Sequence, residues 1–353
     1  MASVINVFIL SLMLVSQNLR QHQIIRSISE VFEFISNIAS QVSFFNTAAF
    51  GIMAMVIVGS SWCLIGLIMG DAPKRGIEPS LVQLFGAAVS VTVGLIIMIS
   101  TSAYPTGSMK AIILTCAAYA FSGGANFFML QIMSSAMQSG PNGIIWSIIQ
   151  SALVFPFIGG IIFFGVEVTV CRIIGIILLL TALVLFAFTK NNENRDGNWK
   201  IKAFICLAIC AVQQNITTAP SYFAEARGVT SIVRALSSGA AILVSAIIYN
   251  LCRATPERKA QFKSNIRNLT LWKYIGGLQF FNLLFAYTLF YPGMNVMADN
   301  GLGGMCYPMM VGSCIVSFTL SSVLLLKEKI RIIQIIALAV CITGLVFVCT
   351  GSR

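Results

Sequence analysis

Ten apolar blocks, each about as long as a helix must be to cross a bilayer, constrain this chain more than any other feature. A hydrocarbon core of roughly 30 Å takes about 20 apolar residues at 1.5 Å per residue, and a charge-free run of about 18 reads as a span. The blocks lie near 48–70, 80–100, 110–133, 142–164, 170–189, 201–221, 231–252, 272–292, 302–326 and 332–350. Between them stand short breaks with turn or charge signals, such as Asp71-Ala72-Pro73-Lys74-Arg75-Gly76, Tyr104-Pro105-Thr106-Gly107 and Thr255-Pro256-Glu257-Arg258-Lys259. No soluble domain fits in them. Only 9% of the 353 residues are charged while 58% are hydrophobic, and soluble domains carry roughly a quarter charged residues. The expected fold class is an all-α integral membrane protein with ten transmembrane helices.

Charge placement then predicts orientation. The net charge of +11 comes in short clusters within the breaks and forms no basic groove, so topology explains it and a nucleic-acid partner is not expected. The loops after the first, fifth, seventh and ninth spans hold Lys74, Arg75, Lys190, Arg195, Lys200, Lys202, Arg253, Arg258, Lys259, Lys263, Arg267, Lys273, Lys327, Lys329 and Arg331. The positive-inside rule places those loops in the cytoplasm and both ends of the ten-helix core outside. Residues 1–47 form an N-terminal extension, apolar over 1–15 and amphipathic over 17–45, that reads as an extra helix, a poor signal, or sequence outside the functional protein.

Two halves are legible within the remainder. Gly123-Gly124-Ala125-Asn126-Phe127-Phe128 in the third span is echoed by Gly276-Gly277-Leu278-Gln279-Phe280-Phe281 in the eighth, 153 residues later. A second echo, at an offset of 161, relates Gly140 and Gly143 to Gly301 and Gly304, and Glu167 to Glu328. Each Glu precedes an apolar helix containing one glycine, Gly175 or Gly344. Five spans per half is an odd number, so the second copy enters the bilayer from the opposite side. The predicted organisation is a first repeat over 48–190 and a second over 200–350, an inverted-topology pair of the kind that places a solute site near the midplane.

On these residues the chain resembles the drug/metabolite transporter superfamily, of the EamA-like ten-helix type, over roughly residues 48–350. Three details are similar to the L-rhamnose–proton symporter type of bacterial sugar porter: the Pro73-Lys74-Arg75 turn, the Gly276-Gly277-Leu278-Gln279-Phe280-Phe281 run, and the Leu326-Lys327-Glu328 turn. The resemblance implies secondary transport, a bacterial inner-membrane location, and a sugar as the leading substrate.

The spans hold few charges at mid-depth, and the polar residues there are mostly neutral. They include Ser60, Trp62, Asn126, Gln131, Trp146, Gln150, Gln213, Gln214, Asn215, Gln279, Asn282, Tyr287 and Tyr307. Amides donate and accept, while indole and phenol rings stack on apolar faces, so this set suits an uncharged hydroxylated solute. The expected substrate-binding residues are Trp62, Asn126, Gln150, Gln213, Gln214, Asn215, Gln279, Asn282 and Tyr287. Gln213-Gln214-Asn215 point three ways from one helix, so at least one should face a polar cavity, and Pro220 with Thr217-Thr218 suggests a non-ideal helix there. Asn126 and Gln279 occupy matching repeat positions. Glu167 and Glu328 read as helix-start residues, and Glu225, Arg227 and Asp299 as a solvated outer group, which also holds the best acidic candidates for coupling.

Other chemistries are disfavoured. Ten scattered Cys without a CxxC pair, and one His (His22), suggest neither a metal site nor a disulfide framework, and no cofactor is expected. Walker, GxSxG and HExxH motifs are absent, so an enzyme is not expected. The sequence thus points to a secondary transporter of a small neutral polar metabolite, most readily a sugar, with membrane lipid as its surroundings and a proton or another cation as a compatible coupling partner. An exporter of amino acids, nucleosides or lipophilic compounds is the alternative, and a non-transporting membrane enzyme or scaffold the alternative of another class.

Overall fold

The computed structural model describes residues 43–140, 142–187, 198–324 and 332–350. They form helices, with no strand among the described residues. Helix α1 is Ala48–Asp71, α2 Pro79–Ser100 and α3 Met109–Ser139. The fourth predicted span is two pieces, α4 (Asn142–Gln150) and α5 (Val154–Phe164), joined by the 3-10 turn Ser151–Leu153. Next come α6 (Val170–Ala187), α7 (Asn198–Thr218) with the 3-10 turn Ala219–Tyr222, and α8 (Ser231–Cys252). A surface helix α9 (Pro256–Ile266) leads into the eighth predicted span, which is α10 (Leu269–Phe285), the π turn Ala286–Phe290 and α11 (Tyr291–Asp299). Helices α12 (Cys306–Leu324) and α13 (Ile332–Thr350) follow. The extension over 1–42 and the Glu328 turn lie outside the described residues.

Local chemistry sets the helix starts and breaks. Thr47, Ser108, Thr230, Thr255 and Asn268 each accept a backbone N–H from the first turn of the helix that follows, satisfying a donor that has no partner within the helix. Gly165 stops α5 in a left-handed conformation at φ +64°, which glycine adopts without steric cost. Three prolines account for the interruptions. Proline has no N–H and its ring crowds the carbonyl four residues back; Pro156 follows the 3-10 turn, Pro220 sits in the turn after α7, and Pro292 follows the π turn.

Six of these helical rods are long and apolar enough to cross a membrane: α1, α2, α3, Ile145–Phe164, Asn198–Tyr222 and α8. Large apolar side chains such as Phe163 (77% exposed), Val170 (73%) and Ile332 (77%) cover the outer surface. So much apolar surface faces lipid rather than water, and the chain is an all-α, multi-pass membrane protein. The remaining predicted spans are helical too, but shorter or interrupted.

Helix packing is specific. Helix α3 lies against α7 and α8, α8 against α2, α10 against α2, α1 against α12 and α11, α4 and α5 against α7, and α6 against α13. At the α6–α13 contact Gly175 and Gly344 face each other: a Cβ built on either would stand 2.8 or 3.0 Å from the other's carbonyl oxygen. At the α1–α12 contact a Cβ on Gly59 would lie 2.2 Å from the Met310 carbonyl. Both contacts need small residues, the usual basis of close helix approach in membranes. Among the described residues two large apolar cores result, beside a small cluster around Ile97 and Ile232. One joins α2, α3, α4, α7, α10 and the end of α1; the other joins α1, α5, α6, α11, α12 and α13.

Candidate functional site

Where the two cores meet lies a cavity of about 290 Å³. Helices α1, α2, α3, α4, α7, α8, α10 and α12 all contribute to its wall, and among the described residues no Asp, Glu, Lys or Arg lines it. Its inner layer, toward the basic loops, presents Gln83, Trp146, Gln150 and Gln279. Asn126, Gln213, Gln214, Ser238, Asn282 and Trp62 follow, and then Tyr119, Ser122, Thr217, Tyr291 and Tyr307 toward the far end.

Aromatic contacts shape one side. The Trp62 ring is 6.2 Å from Phe290 and 6.0 Å from Tyr307, and Tyr119 meets Tyr291 edge-on at 5.1 Å. Close approach at two glycines seats the inner polar groups. A Cβ on Gly66 would press the Trp146 ring at 3.2 Å, and one on Gly86 would stand 2.6 Å from Gln279 Nε2. Toward the far end the hydroxyls are satisfied within the protein. Tyr119 donates to the Thr217 carbonyl at 3.2 Å, Ser122 and Thr217 share a 2.6 Å hydroxyl contact, and Thr217 donates to the Gln213 carbonyl at 2.8 Å.

Seven of the nine predicted residues line this cavity: Trp62, Asn126, Gln150, Gln213, Gln214, Gln279 and Asn282. Asn215 does not line it. One residue along a helix turns the side chain by about 100°, so Asn215 faces α5. There its Oδ1 occupies the space left by Gly159, and its Nδ2 donates to the Ala211 carbonyl of its own helix at 2.9 Å. The Tyr287 side chain lies outside the described residues. Of the other polar residues read from the sequence, Trp146 and Tyr307 line the cavity, and Ser60 and Gln131 do not.

Sequence reasoning missed Gln83, Tyr119, Ser122 and Tyr291. Gln83 stands in the second turn of α2 near a polar break, where an amide reads as an interface residue. Tyr119 and Ser122 share a face of α3 with Asn126 at spacings of three and four, and that periodicity was the available signal.

Both ends of the bundle are tied across the cavity. At the basic end Asp71 accepts from Arg75 Nε at 2.6 Å and from the Tyr274 hydroxyl, and Arg258 pairs with Glu78 at 3.0 Å. The Asp71 carboxylate holds the Arg75 guanidinium above the ordinary arginine range. Ser80 donates to Asn250 at 3.0 Å, and Phe85 packs on Trp272 at 5.4 Å. At the far end Arg234, 1% exposed, donates to the Val229 carbonyl at 2.9 Å, the Ala226 carbonyl at 2.8 Å and Asn295 Oδ1 at 3.0 Å. Its guanidinium also stands 5.8 Å from the Tyr119 ring centre. Arg227 pairs with Asp299 on the half-exposed surface, and Glu167 and Glu225 are exposed. Among the described residues no group of three or more His, Cys, Asp or Glu is placed to hold a metal.

No family model and no curated protein matches this sequence. Its fold does recur in solved structures. One crystal structure of a protein superimposes with a TM-score of 0.59 over 85% of this chain and 98% of that chain, at 14% identity. At that identity the likeness is one of fold alone.

Proposed function

We propose that the chain is a secondary transporter that moves a small neutral polar solute, with a sugar the leading class, by alternating access. The carrying observation is the charge-free cavity, walled by amides and aromatic rings, between two sets of helices that are tied at both ends. A charged solute would enter it without a counter-charge, at a high desolvation cost. An uncharged polyhydroxy solute meets donors, acceptors and flat apolar faces.

On this reading ten spans form two inverted five-helix halves, over 48–190 and 200–350. Support comes from how the packing maps when the halves are exchanged. The α3–α8 contact corresponds to α10–α2, and α1–α12 to α7 with α4 and α5, while α2–α8 and α6–α13 map onto themselves. The reciprocal Gly175–Gly344 approach fits an axis through α6 and α13. The resemblance to the drug/metabolite transporter superfamily supports the same arrangement, as it does a bacterial inner-membrane setting with the basic loops and α9 in the cytoplasm. Coupling to a proton or another cation has no mid-cavity carboxylate to use, so a neutral-solute mechanism does not depend on one.

The test is a melting-temperature screen of the purified full chain against sugars, amino acids and nucleosides, followed by uptake of any stabilising compound into proteoliposomes. A ligand at 100 times its Kd stabilises by about 2.7 kcal/mol, a readable shift. Stabilisation by a neutral sugar with uptake supports the proposal. Stabilisation by amino acids alone, or binding without uptake, rejects it.

A further inference from the structure

Within the cavity wall two buried amides differ from their polar neighbours. Gln83 is 8% exposed, and neither its Nε2 nor its Oε1 has a hydrogen-bond partner among the described residues. Gln214 is 2% exposed with an unpartnered Oε1, and its Nε2 donates at 3.1 Å to Cys210 Sγ, a weak acceptor. Both residues belong to the cavity wall. Folded proteins rarely leave buried amides unpaired, since each lost bond carries the full desolvation cost. The nearby hydroxyls of Tyr119, Ser122 and Thr217 have their bonds within the protein.

We infer that Gln83 and Gln214 are the specificity-determining residues of this cavity, selecting an uncharged solute with at least two hydrogen-bond donors and one acceptor. Two open carbonyl oxygens need two donors, and the Gln83 amide nitrogen needs an acceptor. On Gln83 both open atoms belong to one planar amide, so it is matched by an adjacent donor and acceptor on the solute. A vicinal diol supplies that edge, and so does a cis amide. Gly86, three residues on, leaves the room that the Gln279 amide occupies beside it. Solutes that only accept, such as ethers and esters, leave the Gln83 and Gln214 oxygens bare. The inference rests on the neutral-solute transport reading of the same cavity.

The full chain in nanodiscs tests it with Gln83→Leu and Gln214→Leu. D-glucose, L-rhamnose and their singly deoxygenated analogues probe the diol edge; uracil and 1,3-dimethyluracil, which has no N–H left, probe the cis amide. Each substitution is expected to weaken binding of the preferred probe about ten- to a hundredfold. The analogue lacking the paired group should bind that much more weakly to the native protein and lose nothing further in the variant. Without ligand, the melting temperature of both variants should hold or rise, because an unpaired buried amide has been replaced by a hydrocarbon of similar size. A structural role for the amides predicts a fall instead. If the native protein binds a probe and both variants bind it equally, or lose all probes alike with a lowered melting temperature, this inference is overturned and the transport reading stands. If no probe of either arm binds the native protein, the neutral-solute reading falls and takes the inference with it.

Discussion

The third and eighth predicted spans carry the same motif and have different shapes. Helix α3 runs unbroken for 31 residues through Gly123-Gly124-Ala125-Asn126. Its counterpart starts as α10 through Gly276-Gly277-Leu278-Gln279, opens into the π turn Ala286–Phe290, and resumes as α11. The cause is local. Pro292 cannot donate to the carbonyl of Thr288, so one turn widens, and the Thr288 hydroxyl donates to the Leu284 carbonyl at 2.6 Å within it. Pro220 and Pro156 act on α7 and the fourth span in the same way. A shared motif therefore brings one amide of each span, Asn126 and Gln279, to the cavity, while a proline in only one of the two marks where the backbone is interrupted.

Arg234 offers the most forceful way to break that comparison, because it holds both counterparts at one point, over Tyr119 of α3 and against Asn295 of α11. Replacing it by Ala strands the Val229 and Ala226 carbonyls and the Asn295 amide oxygen, a loss of about 3–5 kcal/mol. Lys should not rescue it, since an ammonium lacks the planar fork that reaches three acceptors. Arg227→Ala, at the half-exposed pair with Asp299, should cost under about 1 kcal/mol. Denaturation of the four proteins side by side checks the ranking, and equal losses at the two arginines would remove the latch.

The paired glycines come next. A Cβ on Gly123 would stand 2.2 Å from the Ser238 carbonyl on α8, whereas one on Gly276 or Gly277 would meet nothing within 4 Å among the described residues. Gly123→Ala should therefore destabilise by roughly 1–3 kcal/mol through overpacking. Gly276→Ala should stabilise by about 0.5–1 kcal/mol, the helix preference of Ala over Gly. Melting temperatures that fall together at both sites would mean that the two contacts are equivalent after all.

These contrasts also show what was readable beforehand. The helical segments follow the apolar blocks to within a few residues, because hydrophobic length and capping residues such as Ser108 and Thr230 act locally. Seven of the nine expected site residues line the cavity because neutral polar side chains inside apolar spans need somewhere polar to face. Asn215 escaped this logic: one step along α7 turns it onto Gly159, and whether a neighbour offers a notch is decided by another helix. The buried fork of Arg234 depends on carbonyls in and just after a 3-10 turn and on Asn295 of α11, partners that its charge alone does not reveal. Helix α9 went unread because it lies on the surface and carries Arg258, Lys259 and Lys263 rather than an apolar stripe.

The matched amides sharpen the comparison at the binding level. Asn126→Leu and Gln279→Leu should each weaken solute binding by roughly 1–3 kcal/mol, about ten- to a hundredfold. Gln279 alone depends on a notch, so Gly86→Ala should displace its amide and imitate Gln279→Leu, and combining the two should add little. No such surrogate is expected for Asn126. Isothermal titration of the single and double variants reads both results. Full additivity of Gly86→Ala with Gln279→Leu would detach the glycine from the amide.

The smallest effect is expected at Pro292, although it causes the difference in shape. Pro292→Ala restores one backbone donor, worth about 0.5–1.5 kcal/mol if it finds the Thr288 carbonyl. To do so the π turn must close, rotating α10 against α11 by about one residue, or 100°. The surroundings oppose that rotation. Phe290 packs on Trp62 of α1, Tyr291 packs edge-on against Tyr119 of α3, and Asn295 is held by Arg234. Breaking those contacts costs more than one hydrogen bond returns, so the widened turn should persist without the proline that prompted it. Pro292→Ala is therefore expected to leave stability within about 1 kcal/mol and solute affinity within about threefold, equivalent to ~0.6 kcal/mol. A collapse in affinity with stability preserved would show that the proline alone sets the break and that the packing around Phe290 and Tyr291 merely follows it.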